Sequence, residues 1–241
     1  LTFQGFLDKF QPFSAIHTII VVALTAIWWR IIAWAIQRRE TQQLIRLEKG
    51  VATVELLLWI AVHGWWLLPA NFNPARSLPI HICDIVALLT PLALLWRKRW
   101  LIALLYFWGI GFSLQGLLTP DLQLGLLDPL FWLFWFDHAS IVGTAIYMVV
   151  VHRFRPTRRD YNWAVKAGLV YLACVFPINI ILGSNYGYLG NSRPSQPSLI
   201  DWLGSWPWRV GFIVVLAWVG MTLLLAPWEW MRHRAKPHDH H

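Results

Sequence analysis

The chain has 241 residues, of which 57% are hydrophobic and only 13% charged, and its mean hydropathy is +0.50. These values exclude a soluble globular domain and leave an all-α polytopic membrane protein, a single transmembrane domain over residues 1–241 with no room for a separate soluble unit. The net charge of +8 does not imply nucleic acid, because the basic residues sit in short loops between apolar runs, where they set topology and meet anionic headgroups.

A membrane span needs about 20 apolar residues. Seven runs qualify: 14–36, 51–69, 79–96, 100–118, 129–151, 162–182 and 208–227. They read as helices, since a barrel strand alternates in polarity and these runs are continuous. The first, opening with "FSAIH", carries His17 and is long enough to stay in the membrane instead of being cleaved as a signal peptide. The second carries His63, with Glu55 deeper. The third opens with "LPIHICD", placing His81, Cys83 and Asp84 within one turn. Ser113 and Gln115 follow in the fourth and His138 in the fifth, within "FWFDHAS". The sixth holds Asn179 beside Pro177, the one point where a helix is expected to break. The seventh has no lysine, which excludes a retinal Schiff base.

The connections at 69–77, 119–129 and 183–209 are rich in Asn, Gly and Pro, and the last contains Asn185. Within it "SLIDWLGSWPW" reads as a short amphipathic element in the interface. The terminal "KPHDHH" reads as a frayed tail and not as a metal site. Eighteen tryptophans fit an interfacial belt, where the ring lies in apolar surroundings and the N–H reaches a partner.

Orientation follows from the loop charges. The segments 37–50, 97–99, 152–166 and 228–241 hold fifteen Lys and Arg, against Lys9, Arg76, Arg193 and Arg209 on the other side. By the positive-inside rule the amino terminus is outside and the carboxyl terminus cytoplasmic, in the plasma (inner) membrane. All the costly residues named above except Glu55 then fall in the outer half, at a rise of about 1.5 Å per residue. The inner half offers Glu55 and little else. Ionisable groups at such depth face protein or a wet cavity, so their concurrence predicts a polar pocket open outwards.

Geometry restricts the chemistry within that pocket. In a regular helix His81 and Asp84 lie about 60° apart and form an orienting pair, whereas His81 and Cys83 lie about 160° apart. A base for the thiol must therefore come from another helix, with His138 best placed by depth and His63 second. A zinc site built on His81, Cys83, Asp84 and His138 suits the metal by residue type, but the angle and the sparse spacing count against it, and no cofactor is expected. Cys174, with no His or carboxylate within a turn, reads as a small apolar filler.

The segments "FSAIH", "LPIHICD", "YFWGIGFSLQGLLTPDL", "FWLFWFDHASIV" and "PINIILGSNYGYLGNSRPSQPSLIDWLGSWPW" together resemble the YwaF-like bacterial integral membrane proteins along nearly the whole chain. That family is distantly similar to an animal transmembrane acyltransferase that moves polyunsaturated acyl chains between phospholipids, and to androgen-induced hydrolases of fatty-acid esters. The resemblance implies Cys83 as nucleophile and His138 as its base. It departs from the animal pattern locally: Asp84 follows the cysteine where that pattern has His.

The expected function is a membrane-embedded lipid acyltransferase or lipid ester hydrolase with membrane phospholipids as partners. His17, His63, His81 and Asp84 line or orient the pocket, and Gln115, Asn179 or Asn185 serve the oxyanion. The alternatives are a transporter or ligand-binding membrane protein for a small polar solute, and an accessory subunit packed against membrane-protein partners.

Overall fold

The computed structural model describes residues 10–192 and 203–234. Residues 198–202 of the interfacial element expected at 198–208, the tail at 236–241, and Lys9, Arg193 and Lys236 lie outside the described residues. Among the described residues there are seven long helices and no strand: α1 Ala15–Gln37, α2 Gln42–Leu67, α3 Ile82–Trp96, α4 Arg99–Leu118, α5 Pro129–Val150, α6 Arg158–Leu182 and α7 Trp208–Arg234. Six are long and apolar enough to cross a membrane, and α3, with 15 residues, is shorter.

Local chemistry places the boundaries. Ser14 Oγ accepts from His17 N–H at 3.2 Å to start α1, and Thr41 Oγ1 accepts from Leu44 N–H at 3.2 Å to start α2. Asp128 Oδ1 accepts from Leu130 N–H at 2.8 Å just ahead of Pro129, a residue suited to the first helical position. Thr157 and Asp160 form a reciprocal capping box at α6. Gly183, at φ 62°, terminates α6 in the left-handed conformation that favours glycine.

Two expectations from the sequence change here. Helix α2 begins at Gln42, not near 51, because Thr41 caps it and because the charge of Glu48, which looked like a loop residue, is paired. Glu48 is buried and accepts from Arg97, Tyr147 and, at 2.8 Å, His152. The basic end of the bundle is therefore not poor in buried polarity. Second, α6 runs unbroken through Pro177, so the broken helix expected there does not form.

Packing sorts the helices into centre and periphery. α3 lies against α2, α4 and α5, and α4 in turn packs on α5, α6 and α7, while α1 rests on α5. The core runs through Val86, Ala93, Leu101, Leu105, Phe107 and Met148. α1, α2, α6 and α7 expose Ile19, Leu57, Val170 and Leu223, apolar surface of the kind lipid covers. The middle of α4 is a nine-residue π-helical stretch, Leu105–Ser113. Such wide turns recur beside functional sites, and this one is tied on both sides: Tyr106 O–H donates to Leu224 O at 2.9 Å and Trp108 Nε1–H to Ala164 O at 3.2 Å.

The short α3 decides where the chemistry sits. Fifteen residues rise about 22 Å, less than the roughly 30 Å of a hydrocarbon core, so non-helical backbone must descend to meet its first turn. Such backbone is tolerated at depth only inside protein. Tyr171 O–H donates to Ile80 O at 2.9 Å, and the buried Tyr186 hydroxyl accepts from Leu78 N–H at 3.0 Å and donates to Pro74 O at 2.9 Å. α6 and the 183–190 loop thus roof the start of α3.

Candidate functional site

Under that roof the first turn of α3 presents His81, Cys83 and Asp84. His81 is the N-cap residue, outside the regular helix. Its backbone N–H, and not its ring, donates to Asp84 Oδ2 at 3.0 Å. The expected His81–Asp84 pair therefore exists as a helix cap, while the imidazole turns to the roof. There Nδ1 accepts from Gly187 N–H at 3.4 Å, and the ring packs 5.0 Å from Tyr186 and 6.5 Å from Tyr188. Burial raises the Tyr186 and Tyr188 phenols above the usual tyrosine range, so both remain neutral donors. Trp59 Nε1–H donates to Asp84 O at 2.9 Å and clamps α2 to the same turn.

The Cys83 thiol lies near Ser113, at the end of the π-helical stretch, with the Asp84 and Asp137 carboxyls in electrostatic range. Ser113 is fully buried, and its hydroxyl has no hydrogen-bond partner among the described residues. His138, about two and a half turns into α5, is buried and hydrogen-bonds Phe134 O through Nδ1 at 2.9 Å. A carbonyl only accepts, so Nδ1 carries a proton, and in the neutral imidazole Nε2 holds the lone pair. Asp84 and Asp137 are also within electrostatic range of His138. No hydrogen bond joins Cys83 directly to His138 among the described residues; they share flanking acids.

The backbone of α4 makes room for this imidazole. A Cβ at Gly116 would collide with the His138 ring at Cδ2 and Nε2. Gly116→Ala is therefore expected to displace the ring and lower any His138-dependent turnover at least about tenfold, the cost of a misplaced catalytic group. Gly64→Ala, where a Cβ meets open space, is expected to leave turnover unchanged. Steady-state rates of the two variants in one lipid preparation check this.

The remaining sequence candidates divide. His17 has both ring nitrogens bound to backbone, Nε2 to Leu117 O at 2.8 Å and Nδ1 to Phe13 N–H at 2.8 Å, which pins α1 to the end of α4. The His63 ring packs tilted against Trp59, centroids 4.4 Å apart, and makes no hydrogen bond among the described residues. Gln115 turns its amide to Thr119. Asn185 Oδ1 accepts from Gly190 N–H at 2.9 Å, and its amide N–H groups have no acceptor among the described residues. Asn179 is fully used: Oδ1 accepts from Ser184 O–H at 2.8 Å and Tyr186 N–H at 2.7 Å, and Nδ2–H donates to Tyr186 O at 2.9 Å.

Asn179 therefore ties the roof to α6. Asn179→Ala is expected to cost about 2 kcal/mol of stability, the usual scale for stranding buried polar groups, without a selective loss of turnover per folded molecule. Thermal unfolding alongside specific activity separates these effects.

Sequence reasoning passed over Asp137 and the link between Ser140 and Glu55. Asp137 stands next to His138 in the same "FWFDHAS" segment, and a carboxyl in the middle of an apolar helix was itself the signal. Ser140 O–H donates to Glu55 Oε1, while Glu55 Oε2 is buried without a partner among the described residues. Glu55 also lies in electrostatic range of Asp137, so α2 adds a third carboxyl. Among the described residues no three His, Cys, Asp or Glu side chains are arranged to hold a metal ion.

Six apolar helices of spanning length around a buried polar cluster define a multi-pass helical membrane protein. Residues 6–225 match the TMEM164 family, and the chain belongs to that family. No curated protein and no solved structure matches it.

Proposed function

We propose that the protein is a lipid acyltransferase or lipid ester hydrolase of the outer leaflet of the plasma membrane, with seven spans, the amino terminus outside and the carboxyl terminus cytoplasmic. The observation that carries this reading is the tautomer of His138: its Nδ1–H is spent on Phe134 O, so Nε2 is a free base in the layer that holds the Cys83 thiol. His138 Nε2 takes the thiol proton as sulfur attacks the acyl carbonyl, forming a C–S bond. The buried Ser113 hydroxyl, beside Cys83, donates to the developing oxyanion. Collapse breaks the ester C–O bond, and the leaving alkoxide takes its proton from His138. His138 then takes the proton of an acceptor hydroxyl or of water as that oxygen attacks the thioester carbonyl; the C–S bond breaks, and the departing Cys83 thiolate regains its proton from His138. Asp84 and Asp137 stabilise the imidazolium formed between the steps. The likeness to YwaF-like bacterial proteins and to the animal phospholipid acyltransferase supports the same assignment of roles.

The test uses purified protein in nanodiscs with a phospholipid radiolabelled in its acyl chain. Label is expected on the protein, released by neutral hydroxylamine as a thioester is, and absent from Cys83→Ala. Label that survives in Cys83→Ala, or no acyl turnover with any glycerolipid, overturns the proposal. The unpartnered Glu55 Oε2 near Asp137 favours a second reading, binding or transport of a small polar solute with no covalent step. Solute uptake by proteoliposomes without acyl labelling would favour it.

A further inference from the structure

At the basic end of the bundle, where α4 and α6 begin, Arg99, Trp100, Arg159, Asp160 and Trp163 line a surface cleft of about 710 Å³. Its charges are unevenly engaged. Arg99 clamps Asp160 through two hydrogen bonds, Nε to Oδ1 at 2.9 Å and Nη2 to Oδ2 at 2.6 Å, donates to Arg155 O at 3.0 Å and covers the Phe154 ring at 5.2 Å. That bidentate pair neutralises the one acid in the cleft and holds Arg99 rigid. Arg159 is exposed and makes no hydrogen bond or ion pair among the described residues. Lys98, also exposed, adds charge at the start of α4.

The other lining groups are Trp100 and Trp163, each close to half exposed. Indole rings left open within the first two turns of membrane helices belong to the headgroup level of a bilayer. Val170, seven residues beyond Trp163 and so on the same face of α6, is exposed as well, and an apolar track leads from the cleft towards the hydrocarbon. An unpaired guanidinium in one cleft with two half-exposed indoles, opening onto such a track, matches a group that is anionic at one end and aliphatic at the other. A soluble anion would use the arginine and leave the indoles and the track uncovered.

We infer that this cleft is a binding site for one anionic phospholipid of the inner leaflet, whose phosphodiester pairs with Arg159 and the free edge of Arg99 and whose glycerol and acyl stem lie on Trp100 and Trp163. The inference rests on the membrane placement and is independent of the Cys83 chemistry.

Native mass spectrometry of the full chain, released from micelles containing equal phosphatidylglycerol and phosphatidylcholine, tests it. The wild type is expected to retain phosphatidylglycerol in preference. Arg159→Gln is expected to lower that retention about fivefold, the usual contribution of one basic side chain at an anionic surface, while Arg159→Lys keeps part of it. Arg46→Gln, an exposed basic change at the same end of the bundle, is expected to leave the preference intact. No preference in the wild type, or equal losses in Arg46→Gln and Arg159→Gln, shows diffuse charge and overturns the site. Displacement of the lipid by millimolar inorganic phosphate shows a free-anion site and overturns it as well.

Discussion

Cys83→Ala is expected to lower acyl turnover on a glycerophospholipid by about three orders of magnitude or more, the scale seen when a covalent nucleophile is deleted. The structural cost should be small, because Cys83 sits in the first turn of α3, which Asp84 and Trp59 hold independently. His138→Ala should lower turnover by about a hundredfold to ten-thousandfold, as loss of a general base does. The thiol should remain in place there, so a lipophilic maleimide still labels it, but more slowly at neutral pH than in the wild type. Joint replacement should cost little more than Cys83→Ala alone, since residues acting in one proton-transfer unit are not additive. Phospholipid turnover, maleimide labelling and thermal unfolding across the three variants make the check. Full additivity would mean that thiol and imidazole do not act together and would sink the pairing.

The helices were legible because a bilayer imposes a harsh rule on composition, and each of the seven apolar runs contains the core of an observed helix. What misled was charge at the ends. Glu48 stands among Arg46 and Lys49 in sequence, so the stretch reads as a polar loop, yet long-range pairing to Arg97 and His152 lets α2 extend over it. Nothing local signals a partner about fifty or a hundred residues away. Likewise the π-helical turns of α4 arise from packing against α3, α5 and α7, and "LYFWGIGFS" carries no periodicity that announces them.

The candidate site shows the same division between cost and cause. His17, His138 and Asn179 are all expensive polar groups in apolar helices, and the sequence rightly demands a partner for each of the three. It cannot say which partner, because the groups they bind are backbone atoms of Leu117, Phe134 and Tyr186, and every residue carries those. Only the number of unused atoms separates them: His17 and Asn179 have their ring nitrogens or amide atoms taken up, whereas His138 keeps Nε2. The wheel argument failed in part for a different reason. It treated His81 as helical, whereas the cap turns its ring towards Tyr186 and leaves its amide to Asp84.

The largest effect on stability should come from the opposite end of the molecule. Glu48 is 5% exposed and is the shared acceptor for Arg97, Tyr147 and His152, joining α2, the α3–α4 turn and the end of α5. Removing one member of a buried ion cluster costs about 3–5 kcal/mol, because the partners stay behind without their counter-charge. Arg97 is 39% exposed and can recover water, so Glu48→Ala is expected near the lower figure, about 3 kcal/mol, which corresponds to a fall in Tm of about 6–12 °C for a chain of this size. Tyr147→Phe removes one hydrogen bond and leaves the charges paired, and should cost about 1 kcal/mol. Arg97→Met in the Glu48→Ala background should cost little more, since the two share one interaction. Because the Glu48 cluster lies at the basic end and Cys83 at the loop-rich end, the residual activity per folded Glu48→Ala molecule should match the wild type. A selective loss of turnover at unchanged Tm would instead place Glu48 in the chemistry, and thermal unfolding with specific activity distinguishes the two outcomes.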